Sequence, residues 1–176
     1  GGRLGYSKYA TEVLTSDDPK IIKKKSIELI KLNMKRKKIE KIILDEINFE
    51  QIKKENKNVI IYYKSNLNEG LIGIIAARLM EYFNKPSIVI TNSNNILKAS
   101  ARSTTNYNIG TLIKLLLDKK IIEKGGGHNM AAGFIIKKEN LKLLENFIEK
   151  DYSKNSKSYN FFYEYDSIIS SLAIND

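Results

Sequence analysis

The sequence predicts an α/β protein in which a long N-terminal connecting helix leads into a compact domain built on a mixed sheet. From residue 20 to about 56 there is no glycine or proline, and Ile27, Ile30, Met34, Ile39, Ile43 and Ile47 recur mostly at three- or four-residue steps. From 58 to 150, short β-branched runs alternate with amphipathic segments in the order β, α, β, β, α, glycine loop, β, α. That order requires helices packed on a sheet of mixed strand direction.

Residues 6–14 fit a short helix that stops before Ser16-Asp17-Asp18-Pro19, where Asp17 or Asp18 can cap the next helix and Pro19 can occupy its first turn. That helix is expected to run unbroken over 20–56, with a polar interruption at Lys35-Arg36-Lys37-Lys38. It exceeds an ordinary globular helix and reads as a connector between two bodies. If its isoleucine seam packs on a body outside this chain, the seam should lie exposed here. Residues 59–63 form a buried strand, 66–70 a turn and 71–83 an apolar helix ended by Asn84-Lys85-Pro86. A second strand follows at 87–91 and a turn at 92–95. The third strand, 97–103, places Ala99 and Ala101 on one face and Lys98, Ser100 and Arg102 on the other. A helix over 108–119 capped by Asn108, the glycine loop, a strand at 133–136 and a helix over 139–149 complete the domain. The chain thus divides into 1–57 for a junction and the long helix, 58–152 for the α/β domain, and 153–176 for a polar linker and the start of a further β domain.

With 42% hydrophobic side chains in 176 residues, the chain can bury one sizeable core with attachments. Lys plus Arg total 30 against 20 Asp plus Glu, a formal charge of +10 that suits a polyanionic partner. Much of the excess is lysine in a chain rich in Ile and Asn, a bias that coding composition also produces. The absence of cysteine excludes disulfides and thiolate metal sites and fits a reducing cytosol. No apolar run approaches the ~20 residues of a membrane span, and the N-terminus lacks a secretion-signal pattern, so the chain reads as soluble and cytoplasmic. Its start at Gly1-Gly2 rather than Met fits either a cloning scar or the middle of a longer chain.

The densest chemical signal is Gly125-Gly126-Gly127-His128-Asn129-Met130-Ala131-Ala132-Gly133. Consecutive glycines can turn amide donors toward an anion without side-chain interference, and His128 can add a hydrogen bond or a charge. The bland alternative is a flexible loop with a solvent-facing histidine. The second signal is Ala99-Ser100-Ala101-Arg102-Ser103, in which Arg102 offers a planar fork for a phosphate and Ser100 a hydroxyl. Its alternative is an ordinary polar strand face. Arg78, in an apolar helix, is as suited to locking that helix by a salt bridge as to meeting a ligand, and the lysine runs read as solvated faces. None of the seven aspartates forms an Asp-x-Asp or Asp-His-His grouping that could hold two metals, and His128 is the only histidine. Nucleotide-loop, HExxH and GxSxG patterns are also absent. The residues of this chain hold no hydrolytic apparatus.

In order and spacing, Gly2-Arg3-Leu4, the long helix, Gly70-Leu71-Ile72-Gly73-Ile74-Ile75-Ala76-Ala77-Arg78-Leu79, Lys98-Ala99-Ser100-Ala101-Arg102-Ser103 and GGGHNMAAG resemble the RecJ family of single-stranded-DNA exonucleases. The GGGH segment alone is shared by DHH-associated domains generally, including those of small oligonucleotide phosphodiesterases and of alanyl-tRNA synthetase. The other segments point more narrowly to RecJ. The resemblance implies a part of an enzyme that degrades single-stranded DNA from its 5′ end in repair and recombination. It implies Mn2+ or Mg2+ in a DHH domain outside this chain and no cofactor held by this chain alone. Arg3, Ser100, Arg102, Gly125, Gly126, Gly127 and His128 would contact nucleic acid, with His128 near the metal centre. Residues from Phe161 onward would begin an oligonucleotide-binding barrel. Three readings follow: a portion of such an exonuclease, a stand-alone nucleic-acid-binding or regulatory module that completes a separate DHH-domain polypeptide, or a small-oligonucleotide phosphodiesterase remnant, which the long helix disfavours. The sequence departs from the family pattern at Asn68-Glu69-Gly70, where RecJ proteins commonly carry a histidine before the glycine.

Overall fold

Helix boundaries in the first third of the chain are set by two capping side chains. The structure, a computed structural model, describes residues 1–93 and 96–156. A 3-10 turn (Gly2–Leu4) and helix α1 (Ser7–Thr15) precede the long helix α2 (Pro19–Asp45). Asp18 caps α2 by accepting the Lys20 N–H at 2.8 Å, and Pro19 fills the first turn, where its missing N–H loses no bond. Lys25 pins α1 to α2, with its ammonium 3.9 Å from the Tyr9 ring centroid and 3.0 Å from the Glu12 carboxylate.

The long helix does not run to residue 56. It stops at Asp45, and a separate helix α3 (Phe49–Glu55) starts from Asn48, whose side chain accepts the Gln51 N–H at 3.0 Å. The turn between them lets Ile47 bury beside Ile43 instead of staying on a straight cylinder. The isoleucine seam divides accordingly. Ile43 and Ile47 join the core, whereas Ile27, Ile30 and Met34 stay exposed.

Strand β1 (Ile60–Tyr63), helix α4 (Glu69–Phe83), strands β2 (Ser87–Ser93) and β3 (Ile96–Arg102), helix α5 (Ile109–Asp118), strands β4 (Lys124–His128) and β5 (Ala131–Ile136) and helix α6 (Leu141–Asn155) follow. The sheet has the order β1-β2-β3-β5-β4, with β1 parallel to β2 and the other pairs antiparallel. It is mixed, as expected. Two expectations fail locally. The glycine run is strand β4 rather than a loop, because each of its residues pairs with a small or apolar residue of β5. The last helix continues to Asn155, through the start of the expected linker, helped by Ser153 Oγ donating to the Glu149 carbonyl at 2.9 Å. The expected start of a further β domain, from Phe161, lies outside the described residues.

One sheet face is covered by α5 and α6, which bury Ile88, Ile90, Ala99, Ala101, Phe134 and Ile136. On the other face α4 lies over β2 and β3 and buries Val89 against Leu71, Ile75 and Leu79, while the end of α2 closes on Ile60. Full burial of the Val, Leu, Ile and Phe side chains among these contributes roughly 1.5–3 kcal/mol each. Helix α6 is tied back at two points. The Glu149 carboxylate accepts the N–H groups of Asn58 and Val59 at 3.1 and 3.2 Å, and the buried Tyr107 hydroxyl donates to Asp151 at 2.7 Å. Burial, then the bond to Asp151 and its charge, push the Tyr107 phenol well above its ordinary value.

Tyr107→Phe should lower unfolding stability by about 1–2 kcal/mol, read as a shifted urea midpoint at unchanged slope. A raised folded-state pKa means this stabilisation is fully present below the ordinary tyrosine value of about 10 and declines as pH rises above it. The gap between wild type and variant should therefore be constant from neutral pH to about 9 and shrink above about 10.

Candidate functional site

Where α4 ends its cover, the sheet face over β3, β5 and β4 is open and forms the floor of a groove of about 690 Å³. Strand register sets the floor in rows. Ser100, Gly133 and Gly126 lie side by side across the three strands, and Lys98, Ile135 and Lys124 form the next row. The first turns of α4 make one wall, and the Gly2–Leu4 turn contributes Gly2 and Arg3.

Two glycines bring that wall close. A Cβ on Gly70 would lie 2.0 Å from the Arg3 carbonyl oxygen, and one on Gly73 would lie 3.0 Å from Ser100 Oγ and 3.2 Å from Arg102 Nη2. Three residues apart, they share one helix face. Asn68, at the position of the departure from the RecJ pattern, caps α4 by accepting the Gly70 N–H at 2.9 Å.

Among the described residues the groove is lined by Arg3, Lys98, Arg102 and Lys124 against the single carboxylate of Glu69. Arg102 donates from Nη1 to the Ala101 carbonyl at 2.8 Å and to Ser100 Oγ at 3.4 Å, and Arg3 donates to the Gly70 carbonyl at 3.3 Å. Among the described residues neither arginine has a carboxylate partner. Lys98, by contrast, pairs with Glu69 at 2.5 Å. Burial, and then the charge of Arg3, pull Arg102 below the ordinary arginine value, yet a guanidinium stays protonated at neutral pH. An anion between the two guanidiniums would relieve both the repulsion and the lost hydration.

A family model described as the DHHA1 domain matches residues 56–154. The chain belongs to the DHHA1 domain family. It is 31% identical over 147 residues to the single-stranded-DNA-specific exonuclease RecJ of Bacillus subtilis, covering 81% of this chain and 18% of that protein. It is 30% identical over 146 residues to the RecJ of Haemophilus influenzae, covering 78% of this chain and 25% of that protein. The crystal structure of Thermus thermophilus RecJ in complex with Mn2+ shares the fold, with a TM-score of 0.74 at 21% identity over 87% of this chain and 22% of that one. The chain therefore spans about a fifth to a quarter of the length of the relatives it matches.

In this chain the sequence-derived site residues separate. Arg3, Ser100, Arg102, Gly125 and Gly126 line the groove; Gly127 and His128 do not. The three glycines have different reasons to be glycine. A Cβ on Gly125 would strike Phe134 Cβ at 2.8 Å, and one on Gly127 would strike Ala132 Cβ at 2.4 Å, so both serve close packing. Only Gly126 faces open space, with nothing within 4 Å of a Cβ. His128 is exposed at the end of β4, opposite Ala131 in the row of Arg102. Lys124, Gly73 and Gly133 belong to the groove and were not singled out as site residues. Reading 124–128 as a strand would have placed Lys124 and Gly126 on one face. Arg78 bonds Glu40 at 3.1 Å and Glu81 at 2.9 Å, which makes it the lock between α2 and α4. Among the described residues no group of three or more His, Asp or Glu side chains could hold a metal, so the residues present do not fit a divalent-metal centre. Nor is any helix among them long and apolar enough to cross a membrane.

Substitution should separate the glycines. Gly126→Ala should keep the thermal midpoint within a few degrees of wild type, whereas Gly127→Ala should lower stability by about 1–3 kcal/mol, the usual penalty for overpacking. Circular-dichroism melts of the two variants compare them directly.

Proposed function

We propose that this chain is the nucleic-acid-binding part of a RecJ-like single-stranded-DNA-specific exonuclease that works 5′ to 3′ in DNA repair and recombination. The observation that carries the reading is the pair of guanidiniums, Arg3 and Arg102, which have no carboxylate partner among the described residues and stand beside an open, glycine-containing sheet face. Arg102 and Ser100 grip backbone phosphates, and Arg3 adds a contact from the N-terminal turn. Gly126 lets the strand approach the sheet without a side chain between them. The names of the relatives support single-stranded DNA as the polyanion. Mn2+ or Mg2+ and the cleavage step belong, in this reading, to a DHH domain outside this chain, with His128 toward that domain. Such binding is phosphate-driven, so it is weak at high salt.

Fluorescence anisotropy of a labelled, 5′-phosphorylated single strand over a salt series tests the proposal. The two arginine–phosphate contacts predict a log–log salt slope of about −1.4, and Arg102→Ala should reduce its magnitude by about 0.7 while weakening binding at every salt concentration. Equal binding of duplex and single strand, unchanged by Arg102→Ala, would mean nonspecific charge attraction and would sink the assignment.

A further inference from the structure

A second groove, of about 410 Å³, lies at the far end of α4, between that helix and α3. Its lining includes both Ile60 and Ile61 of β1. Consecutive strand residues point to opposite faces, and these two do: Ile60 belongs to the core under α4, and Ile61 packs against the core on the other side of the sheet. A groove that touches both, with Asn56 and Lys57 in its lining, passes the start of the strand and its edge there.

Among the described residues that edge is open: β1 has β2 as its one neighbour in the sheet. The Ile60 N–H donates to the Pro86 carbonyl at 2.8 Å and the Lys64 N–H to the Ile90 carbonyl at 3.1 Å. The two-residue period of a strand therefore turns the backbone groups of Ile60, Tyr62 and Lys64 toward β2 and those of Ile61 and Tyr63 outward. Among the described residues no backbone group pairs with the outward N–H of Ile61 or Tyr63.

The surroundings of the edge define what it fits. Ile52, Ile60 and Phe83 supply an apolar lining, and Tyr82, 66% exposed, stands at the rim with its ring packed edge-on to Phe49 and Phe83 at 4.7 and 4.8 Å. Lys53, Lys57 and Lys85 face the groove against the single acid Glu55. Lys85 is already held in place, donating to the Lys57 carbonyl at 2.7 Å.

We propose that the open edge of β1 docks an extended acidic peptide segment with interspersed apolar side chains, which adds to the sheet as a sixth strand. The unpaired N–H and carbonyl groups match a peptide backbone, the apolar lining takes alternate side chains, and the lysines meet the carboxylates. A nucleic-acid strand offers the charge but not the alternating donors and acceptors. The proposal does not depend on the nucleic-acid reading of the first groove.

The test is fluorescence anisotropy of the full chain with a fluorescein-labelled Asp-Ile-Asp-Phe-Asp-Ile peptide at physiological salt. Two further peptides carry N-methyl groups on alternate residues, one in each register, and the methyl groups block strand pairing on the pairing register while keeping charge and side chains. Saturable binding is expected, weakened at least fivefold by N-methylation on the pairing register and by Lys53→Glu, and unchanged by Arg102→Ala. The methylation arm alters only the ligand, so it reads pairing without risk to folding. No saturable binding, equal binding of both methylation registers and the parent peptide, or loss of binding with Arg102→Ala would each overturn the proposal. So would displacement of the peptide by a thymidine oligonucleotide of equal charge, which would reassign the groove to polyanions in general.

Discussion

One helix cannot cover one face of a five-stranded sheet, and the rest of this molecule follows from that mismatch. Four inter-strand spacings make the sheet about 19 Å wide, while a helix with its side chains is about 10 Å across. Two helices, α5 and α6, match the width on one side, and that face is closed. On the other side α4 sits over β2 and β3, and the ends of α2 and α3 fill in near β1. Nothing among the described residues covers β5 and β4. On the uncovered half-face β4 and β5 present Lys124, Gly126, His128, Ala131, Gly133 and Ile135, a mostly small or polar set with a single isoleucine where the helix-covered faces carry many isoleucines and leucines. Openness and composition have one cause: large apolar side chains there would face water.

The chain uses arginine in two ways, and the carboxylates tell them apart. In the seam between α2 and α4, Arg36 and Arg78 both bond Glu40, at 2.6 and 3.1 Å, and Arg78 also reaches Glu81. That cluster is neutralised within the fold and fixes one helix on the other. Arg102 is part-buried, yet its acceptors are a carbonyl and a hydroxyl, and the charge that acts on it is that of another arginine. A charge left partly dehydrated and repelled costs stability. Folding alone gains nothing from that placement, whereas an incoming anion gains from both arginines at once.

Much of this was legible in the sequence, because the caps and strands announce themselves locally. Asp18-Pro19 and Asn108 cap the helices they were expected to cap, and the alternation of Lys98, Ser100 and Arg102 against Ala99 and Ala101 is the alternation seen. The break after Asp45 was missed because a search for glycine and proline finds nothing there. Asn48 with Gln51 three residues on, a capping-box spacing, was the available signal. The glycine strand was missed for a different reason. Glycine argues against a strand on propensity, and only tertiary packing, with Phe134 and Ala132 pressed against Gly125 and Gly127, makes its lack of a side chain an advantage. Likewise Gly70 and Gly73 read as ordinary helix residues until Arg3 and Arg102 are seen against them.

Because α4 is a wall of both grooves, its rigidity decides which parts of the first one can adapt. Leu71, Ile75 and Leu79 are fully buried, so the helix cannot slide without opening a close-packed core. Arg102 is equally fixed, since it projects from a central strand paired on both sides and donates to the Ala101 carbonyl. Arg3 differs. It is exposed, sits in a three-residue 3-10 turn without buried residues, and meets α4 through a 3.3 Å bond to the Gly70 carbonyl. That bond is at the long end of useful hydrogen-bond distances and exchanges at little cost for a charged acceptor. An anion entering the groove therefore meets one guanidinium that is preorganised and one that can turn to close over it, with the sheet and α4 holding the geometry between them.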